Sequence, residues 1–452
     1  MGIVEGNGES MPEATRRSNI GVVAALSIGV GGMIGAGIFS ILGVVARISG
    51  SALPLSFAIG GVVAGFAAYS YVALGKTFPS VGGAVTFLVH GYGDGVAAGS
   101  LNLFQYLSYI ITIALYATGF AAYAMTFIHL PSRVWAVGVV LAFTAINFLG
   151  GRIMGRAESV IVILKVAILI VFIVAAFVAV TGTGSARLSP STWPGPLAIL
   201  TGAGVLFVGY EGFGLITNAA ANMVKPKREL PRAIYGSVAV AAVIYVLVAT
   251  GVVTNVPLHV LRGLGDSALA VAAKPSLGQA GFRLIAIAAL LSTASAVNAT
   301  LFGSANVGYQ IAKNGGLPPA FDRKLWGRDV EGLFITAGLV LVFVLLFPLR
   351  AVASMGSAGF LLVYSAVNVG HLRIRNQTGA KAWPVATSAV MCLSLFVILV
   401  YNMIRTEPTS AIALGITLTG SLLFEVVYRH RTGRTLTEVL TQTDSASGSR
   451  GS

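Results

Sequence analysis

Two ionisable side chains, Lys165 and Glu211, fall well inside long stretches that otherwise carry no charge. A charge held at that depth is costly, so groups kept there are functional candidates by default. Lys165 lies about eight residues into the apolar block 157–180, roughly 12 Å deep at 1.5 Å rise per residue. An amine at that depth either snorkels back to an interface or serves a function where it stands. Glu211 sits in a glycine-rich stretch. Its carboxylate either faces a bound solute and favours a cationic group, or turns away, protonated or paired. His90, His129, His259, His371 and His430 fall at block ends or in loops and form no ligand cluster, so neither a metal nor a cofactor is expected.

The second kind of chemistry-bearing feature is backbone. Residues 29–39 (GVGGMIGAGIF) and 202–214 (GAGVLFVGYEGFG) are the two most glycine-rich apolar blocks of a chain with 56 glycines. Unwinding a helix inside a membrane frees N–H and C=O groups, which is tolerable only where they line a cavity or meet a ligand. Freed N–H groups at the positive end of a half-helix suit a carboxylate, and freed carbonyls suit an ammonium. The sequence therefore predicts interruptions in both blocks. N–H groups near Gly35, Ala36 and Gly37 would hold a carboxylate, and carbonyls near Met33, Ile34, Phe207 and Tyr210 an ammonium. The alternative is that these glycines only let helices pack closely. Neither block is a phosphate loop, because no Gly-Lys-Ser/Thr follows.

The elements that must position these groups are membrane helices. Apolar types make up 56% of the 452 residues and charged types only 10%, where a soluble domain carries about 25%. About 20 apolar residues span the hydrocarbon core, and the uncharged blocks give 12 spans: 20–46, 53–75, 95–129, 134–150, 157–180, 198–222, 233–254, 284–312, 332–349, 352–370, 384–404 and 409–428. The fold class is an all-α integral membrane protein. The two glycine-rich blocks lie in spans 1 and 6, so a copy beginning at span 6 runs opposite to one beginning at span 1. Paired, interrupted spans in corresponding positions point to a transporter site.

The net charge of +14 reflects topology and not a nucleic-acid partner. With the N-terminus inside, 20 of the 29 Lys/Arg fall on the cytoplasmic side, eight fall outside, and Lys165 lies within a span. That is the positive-inside bias, and an even number of spans brings the C-terminus inside as well. Residues 1–19 read as a cytoplasmic tail and 431–452 as a second, disordered one. Cys392 is the only cysteine, so it forms no intramolecular disulfide.

The residues at these positions resemble a known family. Gly31-Gly32-Met33-Ile34-Gly35-Ala36-Gly37-Ile38-Phe39 resembles the span-1 signature of the amino acid–polyamine–organocation (APC) superfamily. Phe78-Pro79-Ser80-Val81-Gly82-Gly83 resembles its element after span 2, and Lys225-Pro226-Lys227-Arg228-Glu229-Leu230-Pro231-Arg232-Ala233-Ile234 its loop after span 6. The chain is most similar to the superfamily's archaeal sodium-independent, proton-coupled amino acid transporters. This resemblance implies a LeuT-like fold, with inverted five-helix repeats at about 20–180 and 198–370 and two extra helices at about 384–428. It implies amino acids and protons as cargo and import by alternating access, or, as the alternative, amino acid or polyamine exchange. It implies that the Lys165 amine occupies the place of a sodium ion, near the Gly31 carbonyl and Ser292 or Ser295. It makes Phe207 a gate over the substrate. Ala73, Asn222 and Lys225 depart from the superfamily's pattern.

A membrane enzyme would need a nucleophile–base pair or metal ligands at depth, and a channel would need charge rings or filter loops. The sequence shows none of these. The expected surroundings are amino acids, protons and the lipid bilayer of the cell membrane.

Overall fold

A computed structural model describes residues 20–80, 82–150, 154–263, 265–313, 316–318, 321 and 331–432. The expected tails, 1–19 and most of 431–452, lie outside these residues. The described chain is helical: α1 (Val22–Ser49), α2 (Leu53–Thr77), α3 (Ala84–Tyr92), α4 (Val96–Ala124), α5 (Ser132–Gly150), α6 (Met154–Val178), α7 (Gly182–Ala186), α8 (Pro196–Leu206), α9 (Gly212–Asn218), α10 (Pro226–Asn255), α11 (Leu258–Gly263), α12 (Ala268–Lys313), α13 (Glu331–Leu346), α14 (Leu349–Thr378), α15 (Ala382–Thr406) and α16 (Pro408–Thr432). Among the described residues, ten helical stretches are long and apolar enough to cross a membrane. The first of them, Val22–Thr77, holds both α1 and α2, and the shorter Gly332–Leu346 adds one more, which gives the twelve expected spans. This is an all-α, multi-pass membrane protein.

The layering follows from which faces are apolar. The stretches α1–α2, α8–α9 and α14 are buried over nearly 90% of their most apolar windows, whereas α5 and α16 are about one-fifth buried. The outer helices turn large apolar side chains outward, such as Ile163 and Val174 on α6 and Ile412 and Ile416 on α16. Lipid tails are as apolar as these side chains, so burial gives little drive between helices. Close packing through small residues takes its place.

The loop motifs have local reasons. Pro226 opens α10 where its missing N–H costs nothing, and Glu229 turns back to accept the Lys225 N–H at 3.0 Å. Gly83 has φ 49, and a Cβ there would lie 2.0 Å from Asn218 Oδ1, so the turn after α2 presses its glycine onto the end of α9. Four helical elements fall outside the expected spans: the short α7 and α11, α3, which packs against α14, and the first limb of α12, bent at Gly278 with φ 65.

One expectation is corrected. Span 6 is interrupted, with a tighter 3₁₀ turn over Phe207–Tyr210 between α8 and α9. Span 1 is not: α1 runs through residues 29–39 without a break. Its glycines bring α1 backbone to backbone with the broken span. A Cβ on Gly212 would lie 2.6 Å from Met33 N, and one on Gly37 would lie 2.8 Å from Gly209 Cα. Gly212→Ala must therefore push the two chains apart. Overpacking of this kind costs about 1–3 kcal/mol, and thermal-shift measurement in detergent should show a clear fall in Tm. Gly338→Ala, with nothing within 4 Å of the new methyl, should leave Tm unchanged or raise it.

Candidate functional site

The crossing of α1 with the interrupted span is the centre of the site, and polar groups converge on it from four other helices. From α6, Lys165 reaches inward with 1% of its surface exposed, and its Nζ donates to the Gly31 carbonyl at 2.8 Å. The snorkelling alternative is excluded by that geometry. From α12, the Ser292 hydroxyl donates to the Ile34 carbonyl at 3.1 Å. Ser295 is buried on the same helix. A Cβ on Gly35 would lie 3.6 Å from the Lys165 amine and 3.8 Å from the Ser292 carbonyl, so Gly35 faces the junction of α1, α6 and α12.

From α10, the Tyr245 hydroxyl sits between the carbonyls of Met33 and Gly209, 3.0 Å from the latter. It has one proton and so donates to one carbonyl at a time. From α14, the Ser357 hydroxyl donates to the Val205 carbonyl and accepts the Val208 N–H at 2.9 Å. Tyr364 donates to the Glu211 carbonyl at 3.2 Å. These contacts explain how the break is tolerated: groups released by the tighter turn at Phe207–Tyr210 find side-chain partners.

The same contacts explain why α1 stays wound. A backbone carbonyl has two lone pairs. Gly31, Met33 and Ile34 can accept from Lys165, Tyr245 and Ser292 and still serve the helix. The expected free carbonyls at Met33 and Ile34 are thus occupied, and in a continuous helix the N–H groups of Gly35, Ala36 and Gly37 are engaged within it. The side chain of Ala36 lies outside the described residues.

Phe207 and Tyr210 are fully buried. Phe207 meets Tyr364 edge-on at 5.6 Å, within a cluster that includes Tyr71 and Phe213. Tyr210 points to α2, where its hydroxyl donates to the Phe57 carbonyl at 2.9 Å. Glu211 is 1% exposed, and its side chain turns toward α4, where the Tyr109 hydroxyl lies against the carboxylate and the Gln105 amide. The Glu211 Oε1 has no hydrogen-bond partner among the described residues. Tyr245, Ser357 and Tyr364 were not singled out from sequence. Each is a hydroxyl in an apolar span, a signal shared with many residues that only bond back to their own helix.

A cavity of about 530 Å³ opens toward the end of the bundle where α1 terminates, lined by residues that include Thr118, Arg133, Asp266 and Phe347. None of the expected site residues lines it. At its edge Asp266 pairs with Arg47 at 3.3 Å. Toward the other end, the Ile20 N–H donates to the Asn222 carbonyl at 3.1 Å, fastening the start of α1 to the segment after α9.

Comparison with known proteins agrees with this architecture. The family model described as amino acid permease matches residues 20–422. An uncharacterized protein of Methanocaldococcus jannaschii is 40% identical over 417 residues, 91% of this chain and 95% of the relative. The inner membrane transport protein YbaT of Escherichia coli is 33% identical over 429 residues, 94% of this chain and 96% of the relative. The branched-chain amino acid permease BcaP of Lactococcus lactis is 27% identical over 394 residues, 80% of this chain and 83% of the relative.

The Tyr245 bridge gives a direct check on the site. Tyr245→Phe removes one buried hydroxyl, an interaction worth about 0.5–1.5 kcal/mol. Hydrogen exchange followed by mass spectrometry should become faster in residues 207–214 and in the middle of α1, with α15 and α16 unchanged.

Proposed function

The chain belongs to the amino acid permease family, whose members are transporters and not enzymes, and on that premise we propose that it imports amino acids by proton-coupled, sodium-independent alternating access. The observation that carries this reading is the buried Lys165 amine on the Gly31 carbonyl, where α6, α1 and α12 meet. An ammonium there is a tethered cation. It holds α1 against α6 and α12 as a bound metal ion would, without requiring one. Burial opposes the charge and carbonyl acceptors favour it, which lets the amine exchange a proton as the surrounding helices move. Losing the proton weakens the tie and frees α1 to shift against α6, α12 and the interrupted span.

The cargo seats at the crossing of α1 with the interrupted span, at Met33, Ile34, Gly35, Ala36, Gly37, Phe207, Tyr210 and Glu211. Binding there requires the contact between Gly37 and Gly209 to open. Movement of α1 away from α10 and α12 as well takes Met33 and Ile34 from Tyr245 and Ser292 and presents their carbonyls to an ammonium. The chain lies in the cell membrane with both termini cytoplasmic, a reading that rests on the 20 Lys/Arg of one side against the eight of the other. Its two inverted repeats, about 20–180 and 198–370, are followed by two extra helices at about 384–428.

Two outcomes follow. In proteoliposomes without sodium, an inwardly directed proton gradient should drive saturable amino acid accumulation. Lys165→Ala should lose that accumulation yet elute as a folded protein. Undiminished proton-driven uptake by the variant, or strict sodium dependence of the wild type, would overturn the proposal. Glu211→Gln keeps the shape of the side chain and removes its charge. Binding assays over a substrate panel should show cationic amino acids weakened about tenfold more than neutral ones, the equivalent of about 1.4 kcal/mol. An equal effect on both classes would place the carboxylate away from the cargo.

A further inference from the structure

Away from the site, α2, α10 and α15 leave a groove of about 470 Å³ between them, lined by Val62, Phe66, Tyr69, Tyr235, Lys381 and Trp383. Phe66 meets Trp383 edge-on at 6.1 Å. The Tyr69 hydroxyl accepts the Lys381 N–H at 2.9 Å and so ties the start of α15 to α2. Trp383 is 63% exposed, and no side chain caps the first turn of α15.

Each of the three helices brings aromatic rings to the groove, two from α2 and one each from α10 and α15, and a cation toward the same end of the bundle. Lys76 stands in the last turn of α2, seven residues past Tyr69. Arg232 precedes Tyr235 by three residues near the start of α10. Lys381 is the residue before α15, two ahead of Trp383. Positions three and seven apart share a helical face, so Lys76 and Arg232 follow the stripes of their rings. Glu229, the acid on this end of α10, is turned to the Lys225 N–H. In the other direction the stripes continue into exposed apolar residues, Val243 on α10 and Val390 on α15. The groove therefore opens to hydrocarbon below and to a cationic rim above.

We propose that this groove seats one anionic glycerophospholipid. Its phosphate lies at Lys381 and the uncapped first turn of α15, in the field of Arg232 and Lys76. An acyl chain lies along Phe66, Tyr235 and Trp383. Basic pockets between membrane helices select lipid headgroups by this chemistry, and rings at the interface match the boundary between chain and headgroup. A soluble anion has no use for the apolar floor, and a neutral lipid has none for the rim. The lipid would bridge α2 and α10 to α15.

The test uses the purified full-length protein and native mass spectrometry, with phosphatidylglycerol and phosphatidylcholine supplied in equal amounts. The wild type should retain one phosphatidylglycerol with at least fivefold preference, and the preference should shrink as salt rises. The double variant Lys381→Gln, Arg232→Gln alters only exposed side chains, and should lose the preference while its Tm in detergent stays the same. Trp383→Ala should lower retention of both lipids. Equal retention of the two lipids by the wild type would overturn the proposal. So would a preference that survives the double variant, or full displacement of the lipid by inorganic phosphate at matched ionic strength.

Discussion

Everything at the centre of this protein depends on one constraint: inside a membrane no backbone polar group can turn to water for a partner. The interruption at Phe207–Tyr210 is held within it by hydroxyl groups from neighbouring helices. Ser357 serves both a carbonyl and an N–H of the break, Tyr245 reaches Gly209, and Tyr364 reaches Glu211. These partners work only because α10 and α14 stand close to the break, and α1 in turn stands close because glycine faces glycine. A methyl group at Gly37 or Gly212 would meet backbone atoms within 3 Å. Packing and hydrogen bonding are thus one problem here, solved by small residues in one place and hydroxyls in another.

The same constraint treats two of the buried ionisable groups, Lys165 and Glu211, differently. The Lys165 amine is a donor and finds a backbone carbonyl, Gly31, on the helix it faces. The Glu211 carboxylate is an acceptor in a helical environment, where backbone N–H groups are already engaged. It is met by the Tyr109 hydroxyl, and one of its oxygens has no partner among the described residues. A helix bundle has a surplus of acceptors for a buried cation, because each carbonyl keeps a second lone pair. It has no equivalent surplus of donors for a buried anion. The Tyr109 hydroxyl on α4 supplies one such donor to Glu211 from a side chain.

The loop motifs serve the same centre from outside. The glycine turn after α2 presses on Asn218 at the end of α9, and the Lys225–Glu229 cap sets the start of α10, the helix that carries Tyr245. The far end of the interrupted span is therefore positioned by a segment distant in sequence and adjacent in space, and the helix that follows it by a local cap.

Sequence by itself determined the medium, the number of crossings and the burial of Lys165 and Glu211. Each is a local property: a run of apolar residues long enough to span hydrocarbon is legible without any neighbour, and a lysine or glutamate inside such a run stands out. The family pattern of glycines was legible for the same reason. What the sequence left open was the conformation of those glycines. Residues 29–39 and 202–214 look alike as strings, yet α1 is wound and the second block is broken. A glycine permits both states with little difference in intrinsic cost, so the choice falls to partners on other helices. Where Lys165, Tyr245 and Ser292 approach the second lone pairs of carbonyls, the helix need not open. Where Ser357 can take both a donor and an acceptor from one turn, it does open. Those partners lie tens to hundreds of residues away along the chain, and only tertiary structure brings them to the crossing.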